Sequence, residues 1–197
     1  MSTSKNLRGL TPARKRGGNA NSTGNSTYKI LSGDARSIFT GDLVQVSLGY
    51  IEVVSASQSF PIGVFQGCSY EVDGEPKWSA HWPASTSASN IKAMVDDDHR
   101  STYYIQADAS VSIGDINTLN FGVTLGAGST VTHQSGFGLE AGTRTAMPEM
   151  FKVIGVKNES GNDIDVAAER AFPVLEVMIN RHPDVFVSAN PAIVSIA

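Results

Sequence analysis

Helical periodicity is almost absent from this chain, and that constrains its fold more than any other feature. Short runs rich in Val, Ile, Thr and Tyr recur instead, broken by glycine-containing turns. Ile38 to Val54 reads as a hairpin. Within it Leu43-Val-Gln-Val-Ser-Leu48 alternates apolar and polar residues, and Gly49 marks the turn. Gly41-Asp42 supplies a turn through a left-handed residue and an Asx bond. Strands are expected at Ile62 to Val72 and Lys77 to Trp82, with Asp73-Gly74-Glu75-Pro76 as the turn between them.

Further strands are expected at Ile91–Val95 and Thr102–Ala107. In the latter, Tyr103, Ile105 and Ala107 share one face, and Tyr104 and Gln106 the other. Val111 to Val123 carries a Gly114-Asp115 turn. Residues 124–148 read as a long loop or irregular hairpin. Met150–Val156 and Ala171–Ile179 close the set, and only Ile164–Arg170 suits a short helix. The chain is therefore expected to be all-β, a β-barrel or β-sandwich of about eight to ten short strands. The tail after His182-Pro183 holds Val185, Phe186, Val187, Ile193, Val194 and Ile196, so it is expected to be buried on its own sheet or on a neighbour.

The first 28 residues differ in kind from this β-rich body. They hold five basic residues, Lys5, Arg8, Arg14, Lys15 and Arg16, and no acidic one, whereas residues 29–197 carry a net −9. Rich in Gly, Asn, Ser and Thr, the segment lacks the apolar surface to offset its own ordering entropy. The expected organisation is an extended basic N-terminal arm, 1–28, followed by a body, 29–197. The basic residues suit pairing with carboxylates of a protein partner. An acidic body offers no basic face, which argues against a dedicated nucleic-acid module. No apolar run approaches the roughly 20 residues that span a bilayer, and the N-terminus lacks a signal peptide's apolar stretch. Synthesis in a cytoplasm and no membrane partner are the resulting expectations.

Candidate chemistry is sparse. Asp96-Asp97-Asp98-His99 offers three carboxylates to a hard cation, but without EF-hand spacing, and adjacent strand residues face opposite ways. A solvated hairpin loop is the favoured reading, and no metal is expected. His81, His99, His133 and His182 stand at no ligand spacing from one another. Neither a G-x-S-x-G elbow nor a phosphate-binding loop is present, so neither an enzyme nor a cofactor is expected. The single cysteine, Cys68, excludes an intrachain disulfide and reads as a buried apolar residue. Trp78 and Trp82 stand four apart and would share one face of a strand. They form either an aromatic contact surface for a partner or glycan, or part of the core.

Three stretches, Thr40-Gly-Asp42-Leu-Val44, Pro61-Ile-Gly-Val-Phe-Gln-Gly-Cys-Ser-Tyr70 and Trp78-Ser-Ala-His-Trp-Pro83, lie within Tyr28 to Gln106. That region resembles the capsid decoration, or cement, proteins of short-tailed, mostly aquatic bacteriophages. The resemblance implies a β-rich homo-oligomer, dimer or trimer, on the outer surface of an icosahedral shell. Its partner would be the major capsid protein, its location the virion, and its task to clamp neighbouring subunits against the pressure of packed DNA. The family has no fixed catalytic residues. Partner contacts are expected from Lys5, Arg8, Arg14, Lys15 and Arg16 in the arm, with Trp78 and Trp82 on the body. The alternative is a head-fibre or tail-associated adhesin that binds host glycan.

Overall fold

The computed structural model describes residues 4–16, 25–56, 59–162, 164 and 170–184. The described residues form fourteen strands and one short 3₁₀ turn. In chain order the strands are β1 (Thr11–Lys15), β2 (Asn25–Tyr28), β3 (Ile38–Phe39), β4 (Leu43–Ser47) and β5 (Tyr50–Val53). There follow β6 (Gly63–Val72), β7 (Glu75–Ser79), β8 (His81–Trp82), β9 (Ser89–Asp96) and β10 (Ser101–Gln106). The last four are β11 (Asn120–Thr124), β12 (Gly138–Thr145), β13 (Phe151–Val156) and β14 (Val174–Ile179). The all-β expectation holds.

Two antiparallel sheets each curl until their edges meet. The first runs β1-β10-β14-β13-β11-β12. Gly9 N donates to Phe137 O at 2.9 Å and Asp108 N to Leu139 O at 2.9 Å, which joins the β1–β10 side to β12. The second sheet runs β2-β9-β6-β4-β5, with β7 added beside β6. There Ile51 N donates to Lys29 O at 2.8 Å, linking β5 to the residue after β2. A two-stranded ribbon of β3 and β8 completes the fold. Closure of this kind removes most of the unpaired edge that an open sheet would present.

Each curled sheet encloses its own apolar core. Tyr103, Ile105, Phe121, Leu139, Phe151, Val153, Leu175 and Val177 fill the first. Ile38, Val44, Ile51, Phe65, Cys68, Tyr70, Trp82 and Val95 fill the second. The period-2 alternation of strands is what divides them. Leu43 and Val64 face the first core, while their chain neighbours Val44 and Phe65 face the second. β4 and β6 thus act as a shared wall. At roughly 1.5–3 kcal/mol per fully buried large apolar side chain, these two clusters carry most of the folding free energy.

The structure departs from the sequence reading at several points. The strand β12 lies inside the expected long loop 124–148. Its alternation is muted because Gly138, Gly142 and three Thr or Arg positions interrupt it. The Gly114-Asp115 turn expected within Val111 to Val123 is present, as a 3₁₀ turn, Ile113–Asp115, capped by Ser112 and by Asp115, whose carboxylate accepts from Ser112 N at 3.0 Å. The expected helix over Ile164–Arg170 falls mainly on 165–169, outside the described residues; Arg170 itself forms an antiparallel bridge with Val111. The apolar tail from Val185 onward also lies outside them.

The arm does not separate from the body. Its described residues are extended, but β1 pairs with β10 and β2 with β9 of the same chain. Leu10 is fully buried in the first core. Leu7, Leu10 and Tyr28, widely spaced among polar residues, were too few to show as a strand pattern.

Candidate interaction surfaces

β1 is held mostly by polar contacts, because Pro12 lacks a donor and the pairing slips between Pro12 and Arg14. Arg14 grips Glu176 on β14 through Nε at 2.7 Å and Nη2 at 3.2 Å, a two-point contact. Thr102 Oγ1 donates to the same carboxylate at 2.9 Å. Burial alone would raise the Glu176 pKa, yet the bonds from Arg14 and Thr102 hold it below the ordinary value. Lys15 Nζ meets Asp98 at 3.1 Å. The carboxylates that Arg14 and Lys15 were expected to find on a partner are therefore supplied by their own chain. Arg16 Nη1 lies 3.4 Å from Met178 Sδ. Lys5 and Arg8 are exposed on the segment leading into β1.

The two tryptophans part company. Trp78 on β7 is 66% exposed, whereas Trp82 on β8 is fully buried. The strand breaks at Ala80: β7 pairs with β6, but β8 turns to pair with β3. That break rotates Trp82 inward against Tyr70, ring centroids 5.2 Å apart and edge-on. A shared face was the expectation; Trp82 belongs to the core and only Trp78 reaches the surface.

The acidic run between β9 and β10 splays apart. Asp96 Oδ1 accepts from Ser101 Oγ at 2.8 Å, Asp97 Oδ2 from Tyr28 OH at 2.8 Å, and Asp98 from Lys15 Nζ and Arg100 N. Each carboxylate thus serves a different element. Among the described residues no three His, Cys, Asp or Glu side chains converge as metal ligands would. Burial, reinforced by the bond to Asp97, pushes the Tyr28 hydroxyl up to about 12. His81 stacks between Phe39 and His133, with the two imidazole centroids 4.1 Å apart. Burial and the neighbouring His133 lower the His81 pKa, so the stack favours a neutral ring.

Asp42, in the Thr40–Val44 stretch, is buried in the interior. Its Oδ2 accepts from Phe39 N at 2.8 Å and closes the Phe39–Asp42 turn. Burial raises its pKa to about 6, despite hydrogen bonds from Ser135 and Phe39 that oppose the shift. A folded-state pKa above the unfolded one means that the native chain binds the extra proton. The resulting contribution to stability is full below about pH 4 and is lost as pH rises through 6. Asp42→Asn is expected to flatten this slope. Chemical denaturation at pH 4.5 and 7.5 should show wild type losing on the order of 2 kcal/mol more than the variant across that interval.

The residue that sequence reasoning missed is Leu48. It sits with Gly49 in the two-residue turn joining β4 and β5, with Ser47 paired to Tyr50. Both turn residues have positive φ, 51° for Leu48 and 84° for Gly49. Such a turn prefers Asn or Asp before the glycine, because a branched apolar side chain is strained there. Leu48 is 97% exposed, and Val46 and Tyr50 beside it are also exposed. A single exposed Leu needs no explanation. One held at the tip of a hairpin in a backbone state it disfavours, among other exposed apolar residues, is a projecting apolar knob. The visible signal in the sequence was leucine preceding glycine where a turn calls for Asn or Asp.

Comparisons with protein-family models, with curated proteins and with solved structures find no match for this chain.

Proposed function

We propose that the chain is a structural virion protein that binds the outer surface of an icosahedral phage capsid and braces neighbouring subunits. It acts as a binding protein rather than an enzyme, and it works as a homo-oligomer. The observation that carries the reading is the Leu48 knob. Support also comes from exposed Trp78 on β7 and from the resemblance of Thr40–Val44, Pro61–Tyr70 and Trp78–Pro83 to decoration proteins. Most residues of those stretches serve the fold: Asp42 closes a turn, while Cys68 and Trp82 fill the second core. The contacts with the shell major capsid protein are assigned to Leu48 and Trp78, with Lys5 and Arg8 available for carboxylates. Repetition of a modest apolar anchor by symmetry gives tight attachment without one strong site.

Leu48→Asn separates folding from binding. It creates an Asn-Gly turn, so the body should gain up to about 1 kcal/mol of stability. Binding to expanded capsid shells should weaken by roughly tenfold or more, because a buried Leu anchor is worth about 1.5–3 kcal/mol. Equal binding by the variant would remove the knob from the interface. An adhesin that binds glycan is the second reading, favoured by the exposed Trp78 ring. It predicts that Trp78→Ala abolishes retention on a glycan array.

A further inference from the structure

A cleft of about 320 Å³ opens on the outer face of the first sheet, where the segment before β1 runs beside β10. Asn6, Arg8, Thr11, Tyr104, Gln106 and Lys157 are among the residues that line it. Its walls are fixed within the chain. Asn6 N donates to Gln106 Oε1 at 2.7 Å, and Gln106 Nε2 donates to Ser4 O at 3.1 Å, so one side chain pins the segment that carries Arg8. Lys157 Nζ lies over the Tyr104 ring, 5.5 Å from its centroid, and pairs with Glu159 at 2.7 Å. Arg8 is exposed and pairs with no carboxylate among the described residues.

The surroundings of the cleft are basic. Phe151 and Val153 are buried in the first core, so Lys152 between them faces out. Arg16 reaches the Met178 sulfur on the same face, and Arg14 holds Glu176. Arg8, Arg14, Arg16, Lys152 and Lys157 outnumber Glu159 and Glu176 there, although the whole chain carries a formal charge of −4. Acid is concentrated instead on the β6–β7 hairpin of the second sheet. Glu71, Asp73 and Glu75 outweigh the hairpin's cation, Lys77. Val72 pairs with Glu75, so the tip is the two-residue turn Asp73-Gly74. The tip is exposed, and a Cβ added at Gly74 would meet nothing within 4 Å. Asn90 donates to Glu71 at 2.6 Å, whereas Asp73 and Glu75 form no ion pair among the described residues.

We propose that the β6–β7 hairpin tip of a second copy of this chain docks in the cleft, with Asp73 and Glu75 meeting Arg8 and Lys157. The docking rests on the homo-oligomer reading given above and names the surfaces it uses; it needs no capsid. Each copy offers one cleft and one tip, so the contact either closes reciprocally in a dimer or passes from copy to copy around a ring. Exposed ion pairs are individually weak and are screened by salt, so the association is modest and salt-sensitive.

Sedimentation velocity of the full chain over rising concentration, at low and at high salt, tests it. Wild type should associate at low salt and dissociate at high salt. Arg8→Glu with Lys157→Glu, and separately Asp73→Asn with Glu75→Lys, should each weaken association by roughly tenfold or more, because like charges then face each other. Asparagine keeps the Asp73-Gly74 turn. An equimolar mixture of the two altered chains should associate again, which a folding defect in either would prevent. Wild type that stays monomeric throughout would overturn the docking and the homo-oligomer reading together. Association that survives both pairs of substitutions would overturn the docking alone. So would a mixture that stays monomeric when circular dichroism shows both altered chains folded.

Discussion

Trp82→Ala is expected to cost about 3–5 kcal/mol of stability, while Trp78→Ala, four residues earlier, costs less than about 0.5. Trp82 is fully buried, stacks edge-on against Tyr70, and sits in the second core with Ile38, Phe65 and Val95. Its removal leaves a cavity that β3 and β8, a ribbon of two residues each, are too short to bridge by collapse. Trp78 lies on the outward face of β7, opposite Ser69. For a domain whose whole stability lies around 5–15 kcal/mol, the first change removes a large fraction. Denaturant titration reads the difference as a shift in midpoint at constant slope. Similar losses for both variants would contradict the inward rotation at Ala80 and restore a shared aromatic face.

Gly63→Ala is expected to destabilise the chain by about 3 kcal/mol, at the upper end of overpacking costs. A Cβ at Gly63 would stand 2.2 Å from the carbonyl oxygen of Asp96 and 2.8 Å from its carbonyl carbon. Both are backbone atoms, so no rotamer change relieves the clash. The position matters because Asp96 ties the two cores together. Its carboxylate accepts from Ser101 Oγ at the start of β10, and its carbonyl accepts from Tyr103 OH in the first core at 3.2 Å. Displacing Asp96 therefore disturbs the shared wall and both cores at once. Gly142→Ala, where an added Cβ meets nothing within 4 Å, is the matched control and should lie within about 0.5 kcal/mol of wild type. Equal behaviour of the two variants would refute the close approach of Gly63 to the Asp96 backbone where β6 pairs with β9.

Strand identity was legible from short apolar runs bounded by turn chemistry. Tyr103, Ile105 and Ala107 do share a buried face, with Tyr104 and Gln106 only partly buried between them, whereas consecutive residues at Leu43–Val44 and Val64–Phe65 are buried because β4 and β6 wall both cores. Asp73-Gly74 marked its turn by residue chemistry alone, Asp73 at φ 54° and Gly74 at φ 80°. Three features were hidden, each for a physical reason. β1 and β2 carry almost no apolar residues, since long-range pairing and the Arg14–Glu176 contact hold them in place of local pattern. β12 is diluted by glycine and threonine. The inward turn of Trp82 depends on β8 choosing β3 over β6, a pairing between residues more than forty apart in the chain.

The site was less legible than the fold. Side chains chosen for charge, Arg14 and Lys15, are engaged within the chain, and of the two tryptophans only Trp78 is available to a partner. The knob at Leu48 left one faint sequence signal, a leucine before glycine where a hairpin turn favours Asn or Asp; its exposure and left-handed backbone are what set it apart. The integration of β1 and β2 also changes how the capsid reading must be tested. Deleting residues 1–28 would remove Leu10 from the first core and a strand from each sheet, so loss of binding by that deletion would not isolate an arm.

The most direct measurement is co-sedimentation of the intact chain with expanded, DNA-free icosahedral phage shells over a range of input ratios. The account predicts saturation at a fixed ratio to shell subunits, with the bound shells withstanding higher temperature than bare ones. Absence of saturable binding, with the chain left in the supernatant at every ratio, would contradict the decoration reading and place the glycan-binding one first.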